Sequence, residues 1–177
     1  MKVADRNESI LRIFAYGTLK KGFANHDSYC SGVLRIEPAY VTGRLFQLTP
    51  GIPAMAVPRV AVLAIGSENA GRDLSVQNGV REAGSGAGQV AGVAEESRAG
   101  KGVWREIRGE LLHFGDPLSR IPLLDSLEEY RPGEDSVYVR VLVRVRLEDG
   151  SSTAAWTYIA GPSAGTLEPF DGNEWSA

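Results

Sequence analysis

Val137-Tyr-Val-Arg-Val-Leu-Val-Arg-Val-Arg-Leu147 is the most regular stretch of the chain, with valine or leucine at every odd position and Tyr138, Arg140, Leu142, Arg144 and Arg146 between them. A period of two is the pleat of a β-strand, so one face is expected to be apolar and the other mostly cationic. Asp149-Gly150 follows as a hairpin turn, and residues 153–160, carrying Trp156, Tyr158 and Ile159, make the returning strand.

Working outward, residues 10–16 are β-branched and aromatic, interrupted only by Arg12, and stop at Gly17, which predicts a buried strand leading into a turn. Residues 20–32 are polar and punctuated by Gly22 and Gly32, a short helix or irregular surface connection. Residues 40–48 and 54–57 read as two short strands about the Pro50, Gly51, Pro53 break, and 59–65 as a third. Trp104, Ile107, Leu111 and Phe114 restore a globular pattern over 103–114. Asp116-Pro117 is a good helix start, but Pro122 argues against an uninterrupted helix and places the main helical turns at 122–129. Five to seven short strands with one or two helices predict an α+β fold: a small, closed or nearly closed mixed β-barrel with the helices packed outside.

Residues 66–102 differ in texture, being rich in Gly, Ala and Ser with scattered charges and no aromatic side chain. So little apolar surface cannot offset the entropy of ordering, so this stretch is expected to be a flexible insertion in a single domain spanning 1–177, with a helical turn near 89–98. Its Gly84-Ser-Gly-Ala-Gly88 run lacks the Lys-Ser/Thr ending and the preceding strand of a phosphate loop.

Composition narrows the function classes. With 177 residues, 43% hydrophobic, 23% charged and a net charge of −3, the chain has an ordinary globular make-up and lacks the basic field of a nucleic-acid binder. The longest apolar run is far below the ~18 residues of a spanning helix, residues 1–12 are too charged for a secretory signal, and the one cysteine excludes an internal disulfide. A cytoplasmic protein with no membrane role is expected, its oligomeric state left open. Two histidines, His26 and His113, and Cys30 are too few for a zinc site of several His and Cys ligands. His26 and Cys30, four residues apart, have the spacing of a nucleophile and base on one helix face, but a buried thiol beside a surface histidine is the commoner arrangement. No Gly-x-Ser-x-Gly elbow is present.

Two places remain where chemistry could sit. In Leu124-Asp-Ser-Leu-Glu-Glu-Tyr130 the carboxylates of Asp125, Glu128 and Glu129 lie at helical spacing near a helix C-terminus. Mutual repulsion, the helix dipole and any burial would all raise a carboxyl's proton affinity towards the range useful in acid/base catalysis; the plain alternative is a solvated acidic face neutralised by Arg131. The second is Tyr16-Gly-Thr-Leu19, where glycine allows the backbone to approach a ligand and successive amides can face an anion.

Taken in order, these pieces resemble the gamma-glutamylcyclotransferase-like family. Phe14-Ala-Tyr-Gly-Thr-Leu-Lys20 looks like its opening strand and Tyr-Gly-Ser-Leu loop, Gly43-Arg-Leu-Phe46 and Ile52-Pro-Ala54 like its second strand and proline turn, Leu124-Asp-Ser-Leu-Glu128 like its Leu-Asp-x-x-Glu helix end, and Tyr138-Val-Arg140 with Trp156-Thr-Tyr158 like its closing hairpin. The resemblance implies a cofactor-independent enzyme, without metal, that acts on a small gamma-glutamyl substrate. The substrate's α-amine attacks its own γ-carbonyl and releases 5-oxoproline, with Glu128 as general acid/base and Tyr16, Gly17, Thr18, Leu19 and Tyr138 around the substrate. Thr18 stands where serine is usual, and Glu129 where glycine is typical, which leaves two adjacent carboxylates as candidates. Family position suggests a pocket hydroxyl for Tyr138, whereas strand alternation sets it opposite the valine face. The runner-up is a non-catalytic barrel that binds a small acidic metabolite; a third reading makes residues 66–102 a docking segment.

Overall fold

The structure, a computed structural model, describes residues 10–80 and 102–176. In chain order it runs β1 (Leu11–Ala15), α1 (Ala24–Tyr29), β2 (Arg35–Thr49), β3 (Ile52–Ala56), β4 (Ala64–Ile65), α2 (Ala70–Gly79), β5 (Arg105–Phe114), α3 (Pro117–Leu127), β6 (Tyr138–Leu147), β7 (Ser152–Ala160) and β8 (Glu168–Pro169). The alternating stretch does form a hairpin, with β6 and β7 paired antiparallel from Tyr138↔Ala160 to Arg146↔Ser152. β7 then lies parallel to β1, β1 antiparallel to β5, and β5 antiparallel to the first half of β2. Pairing of Ala39 with Leu147 and Tyr40 with Arg146 joins β2 back to β6 and closes a five-stranded mixed barrel. Closure leaves these strands without a free edge. The second half of β2 runs on to pair with β3 and β8. Ile13, Phe14, Leu111, Val143 and Trp156 are buried in the resulting core. Among the described residues no helix is long and apolar enough to cross a membrane.

Four local expectations are corrected. The alternating strand does not present a cationic face along its whole length, because Tyr138 to Val143 are all buried and Arg140 is completely so. Acidic groups of α2 and α3 cover that face. Residues 59–65 begin with a single 3-10 turn, Arg59–Ala61, and only their last two residues form a strand, β4; Pro58 before the turn has no N–H to offer a ladder. The helix around Pro122 is continuous over Pro117–Leu127. Proline there removes one hydrogen bond, which would have gone to Leu118, a largely exposed residue whose carbonyl can turn to water.

The fourth correction concerns the 66–102 stretch, whose first part is ordered. Asn69 caps α2 by accepting the Arg72 amide at 2.9 Å. Asp73 and Gln77, one turn apart, are buried, and Gln77 bridges the start of β1 by accepting the Arg12 amide and donating to the Ile10 carbonyl, both at 2.9 Å. Specific polar bonds hold this helix alongside the packing of Ala70 and Leu74 on the core, and composition does not register such bonds. The turn expected at 89–98 lies outside the described residues.

Candidate active site

The end of α3 is built by a Schellman motif. Tyr130 N–H donates to the Asp125 carbonyl at 2.9 Å and Glu129 N–H to Ser126 at 3.4 Å, with Glu129 in the left-handed region at φ 52°. Glu128 is the C-cap residue, its amide bonded to Leu124 O at 2.9 Å. The motif aims successive side chains apart: Glu129 is exposed and also lines a second, acid-rich groove with Glu68, Glu134 and Asp135, whereas Glu128 is half-buried. Desolvation raises the Glu128 carboxyl to about 7. Among the described residues no donor hydrogen-bonds to it. The expected direction of the shift holds, but repulsion by Asp125 is not its cause, because Asp125 is bound by Arg140 through Nε at 2.7 Å and Nη2 at 3.2 Å. Arg131 does not neutralise the cluster either; it pairs with Glu134 at 3.7 Å.

The turn after β1 is closed by Lys20 N–H donating to the Gly17 carbonyl at 3.0 Å. A Cβ on Gly17 would lie 2.5 Å from Pro53 Cγ, so what demands glycine here is the proline ring of β3 rather than a ligand. α1 braces the turn from behind. Asn25 Nδ2 donates to Thr18 Oγ1 at 2.9 Å, His26 Nδ1–H donates to the Leu19 carbonyl at 2.8 Å, and the Cys30 thiol lies 3.7 Å from the same carbonyl. His26 and Cys30 therefore share an acceptor and form no catalytic dyad, and burial pushes the thiol up to about 11. The Thr18 and Leu19 amides have no protein acceptor among the described residues, and Thr18 Oγ1, accepting from Asn25, keeps its own O–H to donate.

The helix end and the turn meet. Tyr16, Gly17, Thr18, Leu19, Glu128, Glu129 and Tyr138 all line one cavity of about 660 Å³, within the range of roughly 300–1,000 Å³ usual for small-ligand sites. Tyr138 is in the cavity wall, with its hydroxyl proton donated to the Pro53 carbonyl at 2.6 Å. Tyr16 likewise donates to the Tyr158 carbonyl at 2.8 Å, and Tyr158 to Asp125 Oδ1 at 2.7 Å. Burial raises all three phenols, so they stay neutral. With their protons engaged, these oxygens can only accept from a ligand. The cavity lining thus includes acceptors and a carboxyl suited to an ammonium group, and a turn whose N–H and O–H donors suit a carboxylate or oxyanion.

Behind the cavity lies an ion network. Arg140 donates to Asp125 as above, to Asp73 Oδ2 at 2.9 Å and to the Ser67 carbonyl at 3.1 Å, and its guanidinium stacks over Trp156 at 4.9 Å. Burial alone would lower its proton affinity, but Asp125 and Asp73 outweigh that and leave it raised. A Cβ on Gly66 would lie 2.6 Å from the guanidinium carbon, so the slot admits no side chain there. Asn25, Tyr158 and Asp73 escaped the sequence reading. Asn25 and Asp73 stand in polar stretches without a period, and Tyr158 looked like an ordinary strand residue.

The profile of the family described as gamma-glutamyl cyclotransferase, AIG2-like, matches residues 13–69 and 78–177. Among solved structures, an AIG2-like protein from Mus musculus is similar at 17% identity and a TM-score of 0.52, covering 94% of this chain and 88% of that one. YkqA from Bacillus subtilis is similar at 18% identity and a TM-score of 0.41, covering 89% of this chain and 39% of that one. No curated protein matches by sequence.

Proposed function

Since the chain belongs to the AIG2-like gamma-glutamyl cyclotransferase family, we propose that it releases 5-oxoproline from a gamma-glutamyl amine or peptide, with Glu128 as the general acid/base. One observation carries the reading: the Glu128 carboxyl and the Gly17–Leu19 turn, more than a hundred residues apart in sequence, line the same cavity.

The substrate's α-ammonium lies against Glu128 and the Tyr138 oxygen. Its carboxylate or reacting carbonyl lies against the Thr18 and Leu19 amides. Glu128, at about 7, is partly ionised at neutral pH and takes a proton from the ammonium. The freed amine attacks the γ-carbonyl carbon; a nitrogen–carbon bond forms within the substrate, the turn's donors stabilise the oxyanion, the bond to the departing amine breaks as Glu128 returns the proton to it, and the second proton of the new ring nitrogen passes through the same carboxylate to the released amine, which leaves as an ammonium. No water is consumed. The two reacting groups are already in one molecule, so much of the acceleration comes from holding the chain folded for attack.

Incubation of the purified protein with a panel of gamma-glutamyl amines and peptides, with 5-oxoproline as the readout, tests this. Turnover of at least one compound, lost in Glu128→Gln, is expected. No product from any of them, or full activity in the variant, overturns the proposal, and saturable binding without turnover would fit a binding barrel instead.

A further inference from the structure

We propose that Asp73 is a positioning residue for Glu128, acting through Arg140 and Asp125. The inference rests on the reading of Glu128 as the reacting carboxyl, and gives α2, whose residues 70–77 the family profile passes over, a part in the site.

The chain of contacts is short and buried. Ser67 donates to Asp73 through its amide at 2.8 Å and its hydroxyl at 2.7 Å, fixing both carboxylate oxygens. Asp73 and Asp125 then grip one guanidinium from two helices, Asp73 from α2 and Asp125 from α3. Asp125 is held twice, its side chain by Arg140 and Tyr158 and its carbonyl by Tyr130 in the turn that ends α3. Glu128 sits on that turn. It makes no side-chain hydrogen bond of its own among the described residues, so its place in the cavity depends on where Asp125 holds the helix end. Remove the Asp73 carboxylate and a wholly buried guanidinium loses a partner, which pulls it and Asp125 out of register.

The test compares Asp73→Asn, and the milder Ser67→Ala, with the unaltered full-length protein. Two readouts are used: kcat and KM for 5-oxoproline release, and the titration midpoint of Glu128 followed by carboxyl-carbon NMR, assigned with Glu128→Gln. The groups acting electrostatically around Glu128 are Tyr16 of β1, Tyr138 of β6 and Tyr158 of β7, all neutral in this range, with Glu129 its chain neighbour and the Asp125–Arg140 pair behind. We expect kcat to fall about ten- to a hundredfold in Asp73→Asn with KM within about twofold, a smaller fall in Ser67→Ala, and the Glu128 midpoint to move down from about 7 as the carboxyl gains solvent. A purely structural Asp73 would lower the melting temperature yet leave both readouts of the folded protein unchanged. That result overturns the proposal, in Ser67→Ala alone if Asp73→Asn does not fold. If the unaltered protein releases no 5-oxoproline the proposed function fails, while the NMR midpoint still decides whether Asp73 positions Glu128.

Discussion

Glu128 carries a pH signature in both activity and stability. In the proposed role of base it must be ionised, so kcat/KM is expected to rise with pH through a midpoint of about 7 and level off above it. For stability the sign is the reverse. Below the ordinary carboxyl value of about 4.3 the group is protonated folded and unfolded, and burial carries no charge penalty. As pH rises the unfolded chain ionises first, so the folded state loses stability until about pH 7, by at most ~4 kcal/mol in all. Glu128→Gln is therefore expected to be inactive and, at pH 8, more stable by roughly 1–3 kcal/mol, since the amide still needs a partner in the pocket. Urea titrations at pH 8 and pH 4 check this, the gain disappearing at the lower pH. Glu129 behaves differently. A non-glycine residue at φ 52° bears a steric cost of about 1–2 kcal/mol that glycine lacks, offset in part by glycine's greater unfolded-state entropy. Glu129→Gly should stabilise the protein by about 0.5–1 kcal/mol in the same titrations and keep its turnover, which separates the two carboxylates the sequence could not.

At the scale of elements, the turn after β1 and the start of β3 form one unit. Pro53 packs its ring on Gly17 and accepts the Tyr138 hydroxyl, so three strands meet at this proline. Gly17→Ala places a methyl where the ring stands. Overpacking of that kind should destabilise by about 1–3 kcal/mol and, by shifting Tyr138 and the Thr18 amide together, reduce kcat/KM more than stability alone explains; thermal melts and kinetics on the soluble variant measure the two effects. The same elements show where a pattern in sequence suffices. The β6–β7 hairpin was legible because alternation and the Asp149-Gly150 turn both report local geometry. α2 was not legible, since Asp73 and Gln77 are buried by partners from β6 and the start of β1, and polar residues without partners in view read as loop.

Across the molecule, the C-terminal tail closes over the same end of the barrel as the turn. Lys20 Nζ donates to the Trp175 carbonyl at 2.8 Å, Arg108 N–H donates to the Asn173 carbonyl at 2.7 Å, and the nearly buried Trp175 packs on Phe170 with ring centroids 4.9 Å apart. Truncation before Asn173 removes a buried tryptophan, a loss of about 3–5 kcal/mol. It also frees Lys20, one residue after the turn, so a lower melting temperature together with a raised KM is expected. The tail has no periodic signal, and nothing in its composition foretells that it reaches β5 and Lys20. What the sequence by itself determined is local: strand alternation, turn residues, the Asp116-Pro117 start of α3, and the ordered motifs whose spacing brought the family into view. The tertiary structure alone decided which polar residues are partnered. Asp125 became the counter-ion of Arg140 instead of a repulsive neighbour, Tyr138 gave its hydroxyl proton to the Pro53 carbonyl, and Glu128 was left without a hydrogen-bond donor among the described residues. Proton affinity and hydrogen-bonding role follow from solvent exclusion and from groups distant along the chain, and those are properties of the closed barrel rather than of any segment read alone.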